Sequence, residues 1–218
     1  IPRDELKKWV DYAIKNDVLI FFDASYQAYI RDNNIPHTIY EIRGAKKIAI
    51  EFHSFSKSAG FSGIRCGYTV IPKELTVAGL DTRRYHLNPL WQRRQQAKYN
   101  GTSYIVQRAA EATYTNEAQK DIRLIIDTYM RNASIMREGL KNIGFSVYGG
   151  INSPYIWLKT PKQENSYQFF EHLLYAAHVI CTPGKIFGPS GDEYVRFSAF
   201  QHTQQCIDAI ERIRKWQI

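Results

Sequence analysis

A lysine sits among serines in the run Ser54-Phe55-Ser56-Lys57-Ser58, and an arginine, Arg65, follows a short way on. A neutral amine can attack a carbonyl or carry a proton, and hydroxyls beside a guanidinium suit a dianion such as phosphate. The run falls where an apolar stretch, 46–52, gives way to small residues, and a second apolar stretch, 67–71, comes next. A strand-end lysine alone is ordinarily a solvated surface residue. Asp23 adds to the case because it ends the apolar run 18–22, where a carboxylate without a cationic partner would be costly to bury. Its plainer role is to cap the turn Ala24-Ser25-Tyr26. Tyr26 can be ordinary packing. Arg65 lies among Gly63, Ile64, Cys66 and Gly67, a poor setting for a solvated side chain.

The elements that must position these groups are legible as patterns. Residues 3–15 read as an amphipathic helix through Leu6, Trp9, Val10, Ala13 and Ile14. The runs 18–22, 46–52 and 67–71 read as strands apolar on both faces, as in a parallel sheet covered by helices. Asp23 and Lys57 then fall near the C-terminal ends of strands, where open α/β sheets bind ligands. Helices are predicted over 103–114, 117–142, 166–177 and 203–216. The long one carries an apolar stripe (Ile122, Ile126, Tyr129, Ala133, Met136, Leu140, Ile143) that reads as core, and Gly144 follows as a C-cap. Short strands are predicted over 145–148, 155–159 and 194–198. The pattern is α/β over 1–115 and a smaller α+β lobe over 116–218, with the long helix at the boundary.

At 218 residues and 44% hydrophobic, the chain can bury a sizeable core, and no apolar run approaches the ~20 residues that span a bilayer. Membrane partners are not expected. Cys66, Cys181 and Cys206 are far apart, odd in number and without metal-ligand spacing, so reduced thiols in a cytoplasmic protein are expected and no metal site. The net charge of +8 is densest from Arg83-Arg84 through Arg93-Arg94 to Lys98, interleaved with Tyr85, Trp91 and Tyr99. Such a run can face nucleic acid, but its commoner meaning is a solvated or subunit-facing surface, and no nucleic-acid partner is expected.

Three motifs occur in order: Asp23-Ala24-Ser25-Tyr26, Ser54-Phe55-Ser56-Lys57 with Arg65, and Phe187-Gly188-Pro189-Ser190-Gly191 leading to Tyr194-Val195-Arg196. Together they resemble the class I/II aminotransferases, pyridoxal-phosphate enzymes of fold type I with an aspartate-aminotransferase-like architecture. Further stretches are similar to the LL-diaminopimelate aminotransferase family: Tyr40-Glu41-Ile42-Arg43-Gly44-Ala45, Ser58-Ala59-Gly60-Phe61, Asn100-Gly101-Thr102 and 149–155. The resemblance implies the end of a mostly parallel large-domain sheet plus a C-terminal α+β small domain. It implies pyridoxal 5'-phosphate as cofactor, amino-acid and 2-oxo-acid substrates, and a homodimer.

By the same resemblance, Lys57 would form the Schiff base with the cofactor and then move the α-proton. Asp23 would pair with the pyridine nitrogen and Tyr26 with the ring's phenolic oxygen. Ser54, Phe55, Ser56 and Arg65 would line the phosphate end, and Arg196 would grip the substrate α-carboxylate. Asn100 would reach a neighbouring subunit's site, although an Asn-Gly pair is ordinarily just a turn. The glycine-containing phosphate loop and the aromatic that stacks on the cofactor lie upstream of Asp23 in this family. The chain therefore resembles the C-terminal half, and these residues alone are expected to expose apolar edges and to be inactive. Two other activities fit the motifs: a fold type I aminotransferase acting on aspartate or aromatic substrates, and an aminotransferase-like effector domain of a transcriptional regulator.

Overall fold

Parallel pairing of two short strands organises the first part of the chain. The computed structural model describes residues 1–161 and 164–217, which divide into two compact units, Ile1–Ile122 and Arg123–Ile218. In the first unit, α1 (Arg3–Asn16) buries Leu6, Val10 and Ala13, a four-then-three spacing that lays one face on Ile39, Ile42, Ala45, Ile48 and Ala49. It ends at Asp17 in the left-handed conformation. Strand β1 (Ile20–Asp23) pairs parallel with β2 (Ala49–Ser54), and β3 (Gly67–Val70) pairs antiparallel on the other side of β2. These three strands thus form a mixed sheet, one pairing parallel and one antiparallel.

Two expectations change here. The strand after α1 begins at Ile20 and alternates, with Ile20 and Phe22 packed toward the α1 cluster while Phe21 is 69% exposed, so it is not buried on both faces. The second strand begins at Ala49, because Gly44 takes a positive φ of 93° and residues Ala45–Lys47 form a 3-10 turn. Strand β2 runs directly into α2 (Phe55–Ser58), a single helical turn. The unit continues with a hairpin of β4 (Thr76–Ala78) and β5 (Arg84–His86), then α3 (Leu87–Lys98) and α4 (Tyr104–Ala112). The basic run falls on β5 and α3, and α3 buries no residue.

Helix α5 (Asn116–Ile143) starts in the first unit and continues into the second. The second unit is an antiparallel sheet in the order β6-β7-β9-β8, made of β6 (Val147–Gly149), β7 (Tyr155–Lys159), β8 (Thr182–Pro183) and β9 (Tyr194–Ser198). Ile156 and Leu158 of β7 stand directly opposite Phe197 and Val195 of β9 in the register, and all four are buried. They meet Met136 and Leu140 of α5, Phe169 and Leu173 of α6 (Ser166–Ala177), and Ile210 and Ile213 of α7 (Thr203–Gln217) in one core. A capping box starts α6: the Asn165 side chain accepts from Tyr167 and Gln168 amides while Gln168 accepts from the Asn165 amide. All three cysteines are free. Burial pushes the Cys181 thiol up to about 12, so it is inert at neutral pH.

Within this core, Gly139 of α5 lies against α7. A Cβ there would stand 2.6 Å from Ile210 Cγ2 and 3.0 Å from its Cγ1. Alanine in an open helix gains about 1 kcal/mol over glycine, but here overpacking reverses the sign. Gly139→Ala should destabilise by about 1–3 kcal/mol in urea unfolding, and Ile210→Ala in the same chain should couple favourably with it.

Candidate active site

The loops that leave β1 and β2 emerge at the same end of the sheet because the two strands run parallel with Asp23 opposite Phe52. Asp23 is exposed, and its Oδ1 accepts from the Ser25 amide at 2.9 Å and from the Ser25 hydroxyl at 2.5 Å. That makes it an Asx-type turn cap. The Ala24 amide donates to Phe52 O at 2.8 Å, extending the ladder one step past the strand. Tyr26 heads a 3-10 turn, Gln27–Tyr29, and its ring lies 5.9 Å from that of Tyr29. Tyr29 is fully buried, and its hydroxyl donates to the Lys57 carbonyl at 2.6 Å. The loop of Asp23 and Tyr26 is therefore bonded to the main chain of Lys57 itself.

Lys57 lies half-buried on α2 rather than in open loop. Ser54 is the N-cap of this turn, accepting from the Ser56 amide at 3.2 Å. Phe55 turns its ring into a cluster with Phe61 and Ala110, 5.7 Å from the Phe61 ring, and its amide donates to Cys66 O, so it supports the loop by packing. The loop returns through Phe61 N to Phe55 O, Arg65 N to Phe61 O and the Ser62 hydroxyl to Ser56 O.

Arg65 is exposed, contrary to its expected setting, because 62–65 form an outward turn in which Ile64 is exposed too. It holds a left-handed φ of 65° and donates from one guanidinium nitrogen to Ser62 O at 2.7 Å, leaving the rest of its fork toward solvent. Asn100 is exposed at a left-handed φ of 67° just past α3, where its amide donates to Gln95 O. The next residues tie back to the same region, the Thr102 hydroxyl donating to Arg65 O at 3.3 Å. In the second unit, Arg196 lies on β9, on the sheet face opposite the core residues Val195 and Phe197.

Beneath the site is a polar support that the sequence analysis passed over. Glu51 of β2 is 2% exposed; its carboxylate accepts from the Thr38 hydroxyl (2.6 Å) and the Ile39 amide (2.8 Å) and lies 2.6 Å from His53 Nε2. His53 stacks on Tyr68, with ring centroids 4.4 Å apart. Burial, with help from the Tyr114 hydroxyl, pushes the Tyr68 phenol well above its ordinary value. The signal was present in the sequence: an acid inside the apolar run Ile48-Ala49-Ile50-Glu51-Phe52 demands partners. Tyr29, one helical turn beyond Tyr26, had a spacing signal only. Both loops line a cavity of about 180 Å³ that includes Ser25, His53, Ser54, Ser58 and Tyr68. This end of the sheet presents an amine, a carboxylate, a phenol, serine hydroxyls and a guanidinium, a set suited to a ring that carries a carbonyl and a dianion.

Two measurements probe this scaffold. Tyr29→Phe removes the donor to Lys57 O and should cost about 1 kcal/mol in urea unfolding, more if that carbonyl finds no water. Tyr40 shares its hydroxyl between Ala49 O (3.1 Å) and Val70 O (3.0 Å), and burial, then the Glu51 charge, pushes its pKa up to about 12. An unfolded phenol ionises near 10. Tyr40 therefore contributes stability that is complete below pH 10 and falls as pH rises toward 12. A thermal midpoint recorded across that window should decline less steeply in Tyr40→Phe.

Comparison with known proteins finds relatives along nearly the whole chain. The LL-diaminopimelate aminotransferase of Bacteroides fragilis is 60% identical over 214 residues, which cover 98% of this chain and 52% of that protein. That of Bacteroides thetaiotaomicron is 59% identical over 216 residues, covering 99% and 53%. The solved structure of L,L-diaminopimelate aminotransferase from Chlamydomonas reinhardtii matches with a TM-score of 0.89 at 38% identity, over 99% of this chain and 52% of that one. The chain spans about half the length of the curated relatives it matches. Its architecture is the α/β fold of fold type I aminotransferases. With the family model for aminotransferase class I and II matching residues 1–213, the chain belongs to that family.

Proposed function

We propose that this chain carries the lysine-bearing and carboxylate-binding portion of a pyridoxal-phosphate-dependent LL-diaminopimelate aminotransferase. Acting at the length of its relatives, the enzyme would transfer an amino group from LL-2,6-diaminopimelate to 2-oxoglutarate, giving tetrahydrodipicolinate and glutamate. The observation that carries the reading is Lys57, held one turn past β2 at the same sheet end as Asp23, in a chain 60% identical to an enzyme of that name. Residues 1–115 would belong to the large cofactor domain and 116–218 to the small domain.

The residues present suit the cofactor by donor chemistry. Arg65 commits one guanidinium nitrogen to Ser62 O, and with Ser54 and Ser56 it would hold the phosphate. Asp23, exposed at its strand end, would hold a proton on the pyridine nitrogen, and Tyr26 would donate to the phenolic oxygen. When bound, the ring supplies an electron sink for the pair left at the substrate Cα. Lys57 would take the Cα proton on its neutral amine, a role that Tyr29 assists by fixing the main chain. Arg196 would hold the substrate α-carboxylate by two parallel bonds, which orients the Cα–H bond for that transfer. Phe55 would hold the phosphate-side loop closed through its ring. Asn100, on its exposed turn, would meet a second subunit in a homodimer.

The test uses a chain of the relatives' full length, loaded with cofactor. Diaminopimelate should change its visible absorbance and support turnover with 2-oxoglutarate. Lys57→Ala should lower kcat by about 10²–10⁴-fold, the contribution expected of a positioned base. Turnover of aspartate or aromatic donors with none of diaminopimelate would overturn the substrate assignment.

A further inference from the structure

Arg196 is held in an unusual way. The register pairs Trp157 with both Tyr148 and Arg196, and Arg196 with Thr182, so these residues form one row across the outer face of the second sheet. The Arg196 guanidinium carbon lies 4.5 Å from the Tyr155 ring centroid and 4.8 Å from that of Phe187. Its Nε is buried without a hydrogen-bond partner. Rings rather than acceptors therefore locate this part of the cation.

Phe187 makes little sense as a packing residue. It is 53% exposed, at the end of the 3-10 turn Gly184–Phe187, where a large apolar side chain gains little from burial. Yet its position is well defined. Its ring meets the edge of Trp157 at 5.8 Å and 64°, and Trp157 in turn stacks on Tyr194 at 5.3 Å and 16°. The loop itself is fixed by backbone-to-backbone contact. A Cβ on Gly184 would come 2.2 Å from Gly191 O, and one on Gly191 would come 2.1 Å from Gly184 O. The Lys185 amide donates to the buried Ser166 hydroxyl at 3.2 Å, and Lys185 Nζ donates to Asp192 at 2.5 Å. The glycines of this segment thus serve to hold a ring over a guanidinium.

We infer that Tyr155 and Phe187 are positioning residues that cover the Arg196 guanidinium and leave its edge for a ligand, so that the site selects a planar carboxylate over a tetrahedral anion of the same charge. All guanidinium donors lie in the plane of the group. A carboxylate can meet two of them with both oxygens in that plane. A sulfonate or phosphonate carries a further oxygen out of the plane, where it meets a ring face. The inference rests on the proposed role of Arg196 and adds to it the groups that set its orientation and its choice of anion.

The experiment uses the cofactor-loaded chain of the relatives' full length and two dianions, glutarate and propane-1,3-disulfonate, titrated by calorimetry alongside steady-state kinetics. Phe187→Leu should raise KM for 2-oxoglutarate about fivefold, the size of a cation–π contact at an exposed site, with kcat changed less than about threefold. The same variant should narrow the preference for glutarate over the disulfonate. Tyr155→Leu should do likewise, and Phe187→Tyr, which keeps the ring, should restore both. The clamp is overturned if Phe187→Leu leaves KM and the anion preference within about twofold of the parent, or if Phe187→Tyr behaves as the leucine variant does. Calorimetry separates this outcome from failure of the functional assignment. A parent protein that discriminates the two anions through Phe187, yet shows no turnover with diaminopimelate, would keep the clamp and lose the assignment.

Discussion

The placement of Asp23 and Lys57 depends on the register of β1 against β2. Ile20 opposite Ala49 and Asp23 opposite Phe52 send Ile20 and Phe22 into the cluster under α1, and the same alternation turns Phe21 and Asp23 to the other face. A slip of one residue would exchange those faces, burying a carboxylate and exposing the core of the unit. Because the strands are parallel, no tight turn can link them, and the chain between them must travel the length of the sheet and come back. The intervening stretch does so through turns around Ile39 and Ala45, which pack beneath α1. The pairing that aligns Asp23 with β2 is thus secured by residues well removed from the chemistry.

A second layer of support is polar. A carboxylate as buried as Glu51 is tolerable only when its oxygens are satisfied, and here the Thr38 hydroxyl, the Ile39 amide and the His53 ring do so. These bonds lock the returning turn onto β2 just before it gives rise to α2. Tyr29 does the same for the Asp23 loop through Lys57 O. Side chains meant to act within fractions of an ångström need such supporting contacts, and both sets link segments distant in sequence.

That distance explains what could and could not be read from the sequence. β7, α6 and β9 were legible to the residue, since each pairs a clear period with turn or capping residues at its ends. That Asp23 and Lys57 fall at the same end of the sheet was legible because each follows an apolar run with the length of a strand. The β4–β5 hairpin and α3 were missed: their strands are three residues long, and a helix that buries nothing has no apolar stripe to betray it. Arg65 was misjudged because neighbouring glycines and an isoleucine do not imply burial on an outward turn. Phe187 was invisible as a supporting residue, and Glu51 and Tyr29 gave a signal without a partner, because the groups they hold across the fold are distant in sequence.

The loop that carries Lys57 has one further property. It opens at Ser54 and closes at Gly67, residues paired in the β2–β3 ladder, with the Phe55 amide bonded to Cys66 O across the neck. Its own amides, hydroxyls and the Phe55–Phe61 contact hold its interior. It is therefore stapled at its neck to the β2–β3 ladder and at Lys57 O to the Tyr29 hydroxyl, so the backbone that carries the amine is held at two places at once.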